Sequence, residues 1–196
     1  NLPVDQNLPL LSMSYRLEEQ KGLDLIVQVM EYILSEYKVQ LVVNGDGDPQ
    51  YKTFMKSLYE KFPEQVGLNL NANFTLPRHI FAGADMILLP SKFEPCGMVQ
   101  MEAMRYGCVP LARAVGGLAD TVVDGITGFT FKAFNPLAFF GTVVKALENY
   151  KDKTKWQTIV KNCMARDFSW TNSAKRYEEL YYRAIELKER EEKKNI

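Results

Sequence analysis

Three short segments gather residue types that can bind an anionic, hydroxyl-rich ligand. In the first, Arg16-Leu17-Glu18-Glu19-Gln20-Lys21-Gly22, two cations flank a tight loop that leads into an amphipathic helix. A guanidinium grips phosphate as a planar fork, an ammonium acts as a point charge, and the N-terminus of the following helix adds unpaired N–H groups. That combination suits a diphosphate. The same cations can also pair with Glu18 and Glu19 at the surface, and spacing alone leaves both readings open. In the second segment, Pro90-Ser91-Lys92-Phe93-Glu94-Pro95-Cys96-Gly97, Glu94 follows an apolar run and sits between Phe93 and Pro95, and Gly97 opens a helix. A carboxylate there can accept hydrogen bonds from ligand hydroxyls and stabilise developing positive charge, or it can simply complement the helix dipole. Glu102, two helical turns further on, faces either the same cleft or solvent. In the third segment, Ala114-Val115-Gly116-Gly117-Leu118-Ala119-Asp120-Thr121, paired glycines before a short helix let backbone N–H groups approach a phosphate, unless they form a plain strand-to-helix turn.

Other signals carry less. Asp46-Gly47-Asp48 has the D-x-D spacing of a metal site, but it lies in a Gly/Pro turn where Asp and Gly are ordinary. Gly45-Asp46-Gly47 lacks the third glycine of a dinucleotide fingerprint. His79 falls in a short helix and reads as a structural or rim residue. Cys96 has no adjacent base, so it is not read as a nucleophile. Trp170, Tyr177, Tyr181 and Tyr182 read as core and interface aromatics rather than a ligand-stacking box.

The elements that must position these segments alternate between short apolar runs and helical periods. Strands are expected at Leu8–Tyr15, Val39–Val43, Gln65–Leu70, Asp85–Leu89, Cys108–Arg113 and Gly128–Phe131. Helices are expected at Leu23–Tyr37, Gln50–Lys61, Pro77–Ala84, Gly97–Tyr106 and Leu118–Val123, the first presenting Leu23, Ile26, Val27, Met30, Ile33 and Leu34 on one face. Alternation with unbroken apolar strands predicts an α/β fold: a Rossmann-like parallel sheet with helices on both faces. All three segments then fall where strand C-termini meet the following loops, the ligand edge of such a sheet. Three further helical patterns follow with no strand between them, at Pro136–Tyr150, Lys155–Ala165 and Thr171–Arg190, with Ser169 and Thr171 as N-cap candidates. The expected organisation is one domain over 1–196, with 135–196 its mainly helical C-terminal part.

Composition removes several classes. The 196 residues carry 24 basic and 24 acidic side chains, so the basic excess of a sequence-blind nucleic-acid binder is missing. No apolar run approaches the ~18–20 residues of a membrane span. Three Cys without framework spacing suggest reduced thiols. The single His excludes multi-His zinc sites and a two-His relay within the chain. The start at Asn1, with neither an initiator Met nor a signal peptide, is expected for one domain of a longer protein.

Together the motifs resemble the C-terminal domain of bacterial glycogen synthases and plant starch synthases, which use ADP-glucose. The matching residues are Arg16-Leu17, Gln20-Lys21-Gly22-Leu23-Asp24, Asn44-Gly45-Asp46-Gly47-Asp48-Pro49, Ala82-Gly83-Ala84-Asp85, Pro90 to Gly97, Ala103-Met104-Arg105-Tyr106-Gly107, and Gly116-Gly117-Leu118-Ala119-Asp120-Thr121-Val122. The resemblance implies one lobe of a two-lobed retaining glycosyltransferase of the GT-B kind, needing neither metal nor cofactor. Its catalytic residues would be Arg16, Lys21 and Glu94. These would bind the nucleotide-sugar together with Gly97, Gly116, Gly117 and Leu118. Arg16 and Lys21 would hold the phosphates and the leaving ADP, and Glu94 would contact glucose hydroxyls near the anomeric centre. The partners implied are ADP-glucose or ADP, and an α-glucan acceptor held with an N-terminal lobe outside this chain, with no nucleic acid and no membrane. Such a chain by itself is expected to bind ADP weakly and to transfer no glucose. A cytoplasmic or plastid-stroma location fits. The chain departs from the family pattern at Tyr15, where Ser is usual, and at Lys92, where Arg is usual. It departs also at Ala72, where an aromatic often stacks on adenine, with Phe74 two places on. Glu94 and Glu102 have the E-x7-E spacing of the wider retaining superfamily. This leaves as alternatives a relative using UDP or another nucleotide-sugar, a non-catalytic Rossmann-like module, and a D-x-D metal-dependent transferase.

Overall fold

The computed structural model describes residues 2–5, 7–71 and 75–192. Six strands form one sheet: β1 Leu10–Ser14, β2 Gln40–Asn44, β3 Val66–Asn69, β4 Met86–Leu89, β5 Val109–Arg113 and β6 Phe129–Phe131. All are parallel, in the order β3-β2-β1-β4-β5-β6. The strands read as continuous apolar runs because both faces of the sheet are covered. All four residues of Met86–Leu89, for instance, are buried.

The connections are the helices α1 Leu23–Glu36, α2 Pro49–Lys61, α3 Leu76–Gly83, α4 Val99–Arg105 and α5 Gly116–Thr121. Steps from β1 to β3 run one way across the sheet and steps from β3 to β6 the other. With right-handed crossovers the two sets of helices must lie on opposite faces. The contacts agree: α1 packs on α2, whereas α4 packs on α3 and α5. Helix α6, Pro136–Lys151, joins the α1 side, and α7, Lys153–Met164, joins the α4 side. Asn135 caps α6 by accepting from the Ala138 N–H at 2.8 Å, and Asp152 caps α7 by accepting from the Lys155 N–H at 3.1 Å. Trp156 of α7 stacks parallel to Phe129 at 6.2 Å and meets Tyr150 edge-on at 5.2 Å.

Residues 1–165 form one compact unit and residues 166–196 a second. The expected helical part therefore divides, with α6 and α7 in the first unit. The second contains α8, Trp170–Glu192, whose first turn is capped by Ser169 Oγ accepting from the Asn172 N–H at 3.5 Å. Trp170, Tyr177, Tyr181 and Tyr182, expected as core and interface aromatics, are not in a core: all four are exposed. A single helix offers no second layer within its own unit against which to bury them. Among the described residues no helix is long and apolar enough to cross a membrane.

Other differences are local. On α1, Val27 is exposed, and Leu25 and Val29 are buried instead, because the helix packs against both α2 and α6. Helix α4 starts at Val99, two residues after Gly97, and α5 starts at Gly116 rather than Leu118. Cys108 and Cys163 are buried, Cys96 is exposed, and all three are free thiols. Burial pushes the Cys163 thiol up to about 12 and the Cys108 thiol higher still.

The strand order reverses between β1 and β4. The β1–β2 ladder runs from Leu10↔Gln40 to Ser14↔Asn44, but the β1–β4 ladder runs only from Leu11↔Met86 to Ser12↔Ile87. The two central strands thus part at their C-terminal ends and leave the switch-point crevice of a doubly wound sheet. Tyr15 reaches across it, its hydroxyl donating to the Leu88 carbonyl at 2.7 Å, and burial raises its pKa. That cross-strand bond gives a large residue a place where the resembled family has Ser.

Candidate nucleotide-sugar site

At the crevice the loop after β1 and the loop after β4 meet backbone to backbone. Gly22 has φ 76°, and a Cβ there would fall 2.0 Å from the Pro90 carbonyl oxygen, so no side chain fits between the loops. The Lys92 N–H donates to the Gln20 carbonyl at 2.9 Å, and Gln20 Nε2 donates to the Phe93 carbonyl at 3.2 Å. This contact carries Lys21 to Glu94, whose Nζ and Oε2 lie 2.6 Å apart. Their side chains are only 17% and 11% exposed. Ser91 Oγ donates to the same Oε2 at 3.3 Å. A cation and a carboxylate from segments 73 positions apart are thereby held as one unit in poorly hydrated surroundings.

The third segment supports Glu94 from behind. The Gly117 N–H donates to the Glu94 carbonyl at 3.1 Å. A Cβ at Gly116 would fall 1.9 Å from the Glu94 carbonyl oxygen, and one at Gly117 1.8 Å from that of Cys96. The Leu118 N–H donates to the Val115 carbonyl at 3.1 Å, and the Leu118 side chain is buried. The N–H groups of Gly117 and Leu118 are therefore spent on holding the loops. Gln100, 1% exposed, completes the joint: its Nε2 donates to the carbonyls of Gly97 at 2.7 Å and Cys96 at 3.2 Å, and to Thr121 Oγ1 at 3.1 Å. The Thr121 hydroxyl in turn donates to the Gly117 carbonyl at 2.6 Å.

The structure thus brings Lys21, Glu94, Gly97, Gly116, Gly117 and Leu118 into one assembly. Arg16 stands apart from the pair: its side chain is 68% exposed and its guanidinium binds Glu18 at 3.0 Å. Leu17, between the cations, is buried and anchors their loop, with its N–H on the Asp46 carbonyl and its carbonyl on the Asp48 N–H, both at 2.9 Å. The acidic turn is occupied structurally. Asp46 pairs with Lys52 at 2.6 Å, which holds its carboxyl below the usual range, and Asp48 caps α2 by accepting from the Gln50 N–H at 3.0 Å. Among the described residues no three His, Cys, Asp or Glu side chains cluster so as to hold a metal. Glu102 and His79 are exposed, and His79 Nδ1 lies 3.1 Å from the Thr75 carbonyl. Ala72 and Phe74 lie outside the described residues.

Sequence reading missed Arg113. Its Nη1 donates to the carbonyls of Lys92 at 2.8 Å and Ser91 at 3.3 Å, and its Nε donates to that of Lys132 at 3.1 Å. Its guanidinium lies 5.2 Å from the centre of the Phe134 ring. It ties the Glu94 loop to the segment after β6. The only signal for it was a charge closing an otherwise apolar strand. Lys92, which replaces the usual Arg, pairs with Glu19.

The family model of the glycosyl transferases group 1 matches residues 1–162, most of the chain. The chain belongs to the group 1 glycosyl transferases. Among group 1 relatives, it is 41% identical over 186 residues to a glycogen synthase of Fervidobacterium nodosum, covering 92% of this chain and 38% of that protein. It is 43% identical over 192 residues to a glycogen synthase of Thermotoga maritima, covering 94% and 39%. In structure it is similar to the catalytic domain of starch synthase IV from Arabidopsis thaliana bound to ADP and acarbose, with TM-score 0.83, 36% identity and 94% of this chain matched to 40% of that one. This glycosyl transferase chain spans about two fifths of the length of the curated relatives it matches.

Proposed function

We propose that the chain is the nucleotide-sugar-binding part of an enzyme that transfers glucose from ADP-glucose to the non-reducing end of an α-1,4-glucan with retention. The observation that carries this reading is the Lys21–Glu94 pair, held at 2.6 Å in the switch-point crevice by three convergent loops. Likeness to glycogen synthases and to an ADP-bound starch synthase supports the choice of substrate. In this reading Lys21 holds the diphosphate, and Arg16 exchanges Glu18 for a second phosphate contact. The two cations neutralise the charge that grows on ADP as the glycosidic bond breaks. Glu94 accepts from glucose hydroxyls and opposes positive charge at the anomeric carbon. Gly116, Gly117 and Leu118 fix the Glu94 backbone, and Gly97 lets the chain turn into α4. The departing diphosphate takes the proton of the acceptor hydroxyl on the same face, a step that depends on positioning more than on a further base. No metal or cofactor takes part in this scheme. The acceptor is held with the part of the protein outside this chain, and the reduced thiols suit the cytoplasm.

Two experiments test it. A calorimetric screen of ADP, UDP and GDP against the 196-residue chain, with and without EDTA, is expected to show tightest binding of ADP in EDTA. Tighter UDP binding would move the reading to another nucleotide-sugar, and a requirement for Mn²⁺ would return Asp46 and Asp48 to the site. The chain alone is also expected to add no labelled glucose to glycogen, because only one face of the reaction is present. Measurable elongation would show that it holds an acceptor site of its own.

A further inference from the structure

Lys21 and Glu94, the residues assigned above to the diphosphate and to the sugar, are bonded to each other at 2.6 Å. The two acids of the Lys21 loop are engaged elsewhere: Glu18 holds Arg16 and Glu19 holds Lys92. The pair is prepositioned. Gly22 pressed on Pro90 and the Gly117 N–H on the Glu94 carbonyl fix both backbones, and Ser91 Oγ holds the carboxylate at Oε2. A contact between prepositioned groups loses little ordering entropy, and at 17% and 11% exposure salt screens it weakly. We infer that Glu94 is an internal competitor for the diphosphate at Lys21, and so a residue that selects sugar-bearing nucleotides over free nucleotides.

The inference rests on the nucleotide-sugar reading and follows from charge. A phosphate that takes Lys21 draws the ammonium away from the Glu94 carboxylate and sets a like charge beside it. A free nucleoside diphosphate offers that carboxylate nothing in return. A nucleotide-sugar offers hydroxyl donors, so phosphate and carboxylate are both satisfied, each by its own partner. Once the sugar has been transferred, the carboxylate loses its donors and returns to Lys21, which favours release of the diphosphate product.

The test is calorimetry of ADP and ADP-glucose on the 196-residue chain and its Glu94→Gln variant, which keeps the shape and removes the charge. ADP is expected to bind Glu94→Gln about tenfold more tightly, equivalent to 1.4 kcal/mol. ADP-glucose should gain less, so the preference for the sugar nucleotide falls. Ser91→Ala, which only loosens the carboxylate, should shift ADP affinity the same way by a smaller factor, and it supplies the comparison should the first variant melt early. Unchanged or weaker ADP binding by both variants, with Lys21→Ala still losing ADP, would overturn the competition and leave the nucleotide-sugar reading standing. Absence of nucleotide binding in the parent and every variant would overturn both.

Discussion

Replacing Lys21 with Ala is expected to weaken ADP binding by two to three orders of magnitude. Two effects act in the same direction. The variant loses a charge-assisted contact to the diphosphate, and the bound phosphate then faces the Glu94 carboxylate, 11% exposed, with no ammonium between the two like charges. Truncating one partner of a desolvated charge pair across a binding interface, here Lys21 and the diphosphate, costs about 2–5 kcal/mol, whereas the Glu94 charge stranded in the free variant lowers its Tm rather than its affinity. Since about 1.4 kcal/mol is tenfold in affinity, the middle of that range gives a loss of roughly 10²–10³. The fold should survive, because the loops around the pair are joined through backbone groups: the Lys92 N–H on the Gln20 carbonyl, and Gly22 against Pro90. The measurement is calorimetry of ADP at fixed ionic strength, with a thermal melt of each protein to verify folding. Combining Lys21→Ala with Glu94→Gln removes the like charge facing the phosphate, so the double variant should regain part of the loss. Unchanged affinity in Lys21→Ala would take the phosphate assignment away from this residue.

The sheet was legible because its signals are local. Apolar runs such as Met86–Leu89, stopped by Pro90, can hardly be anything but buried strands, and their alternation with helical periods yields a parallel order. The three site segments were legible because each sits at a strand's C-terminal end, where topology alone makes them neighbours. Which acid meets which base was not legible. Spacing offered Glu18 and Glu19 to both Arg16 and Lys21. Arg16 does take Glu18, but Lys21 takes a partner 73 positions away, because Gly22 closes on Pro90. Long-range packing decides that choice, and no window of sequence contains it. The same holds for Arg113 and Gln100, whose hydrogen bonds run to backbone carbonyls of other loops. A carbonyl has no identity in the sequence, so a side chain that holds one leaves no motif. The reading of Val27 as buried fails for a related reason: the width of a helix's buried stripe depends on how many neighbours it has, and only the tertiary structure supplies them.

The second large effect is expected at Gly117. Gly117→Ala adds one methyl group, yet its Cβ would meet the Cys96 carbonyl oxygen at 1.8 Å, the carbonyl carbon at 2.5 Å and Cα at 2.6 Å. All three are backbone atoms, so no side chain can turn aside, and either α5 or the Glu94–Gly97 loop must move. Moving them breaks the Gly117 N–H bond to the Glu94 carbonyl and disturbs the Gln100–Thr121 joint. Overpacking a rigid site costs about 1–3 kcal/mol, and the lost hydrogen bond adds about 1 more. A total near 3 kcal/mol corresponds to a fall in Tm of roughly 6–12 °C for a chain of this size. Because the moving loop carries Glu94, ADP-glucose affinity should fall with it. Gly141→Ala makes the same chemical change on α6, where nothing lies within 4 Å of the added Cβ. There the gain in helix propensity, up to about 1 kcal/mol, should raise Tm slightly. Opposite signs from one substitution separate close approach at Gly117 from any general intolerance of the chain to alanine. Equal melting temperatures for Gly117→Ala and the parent would mean that the loops are not pressed together at Glu94, and the support for its position would have to come from elsewhere.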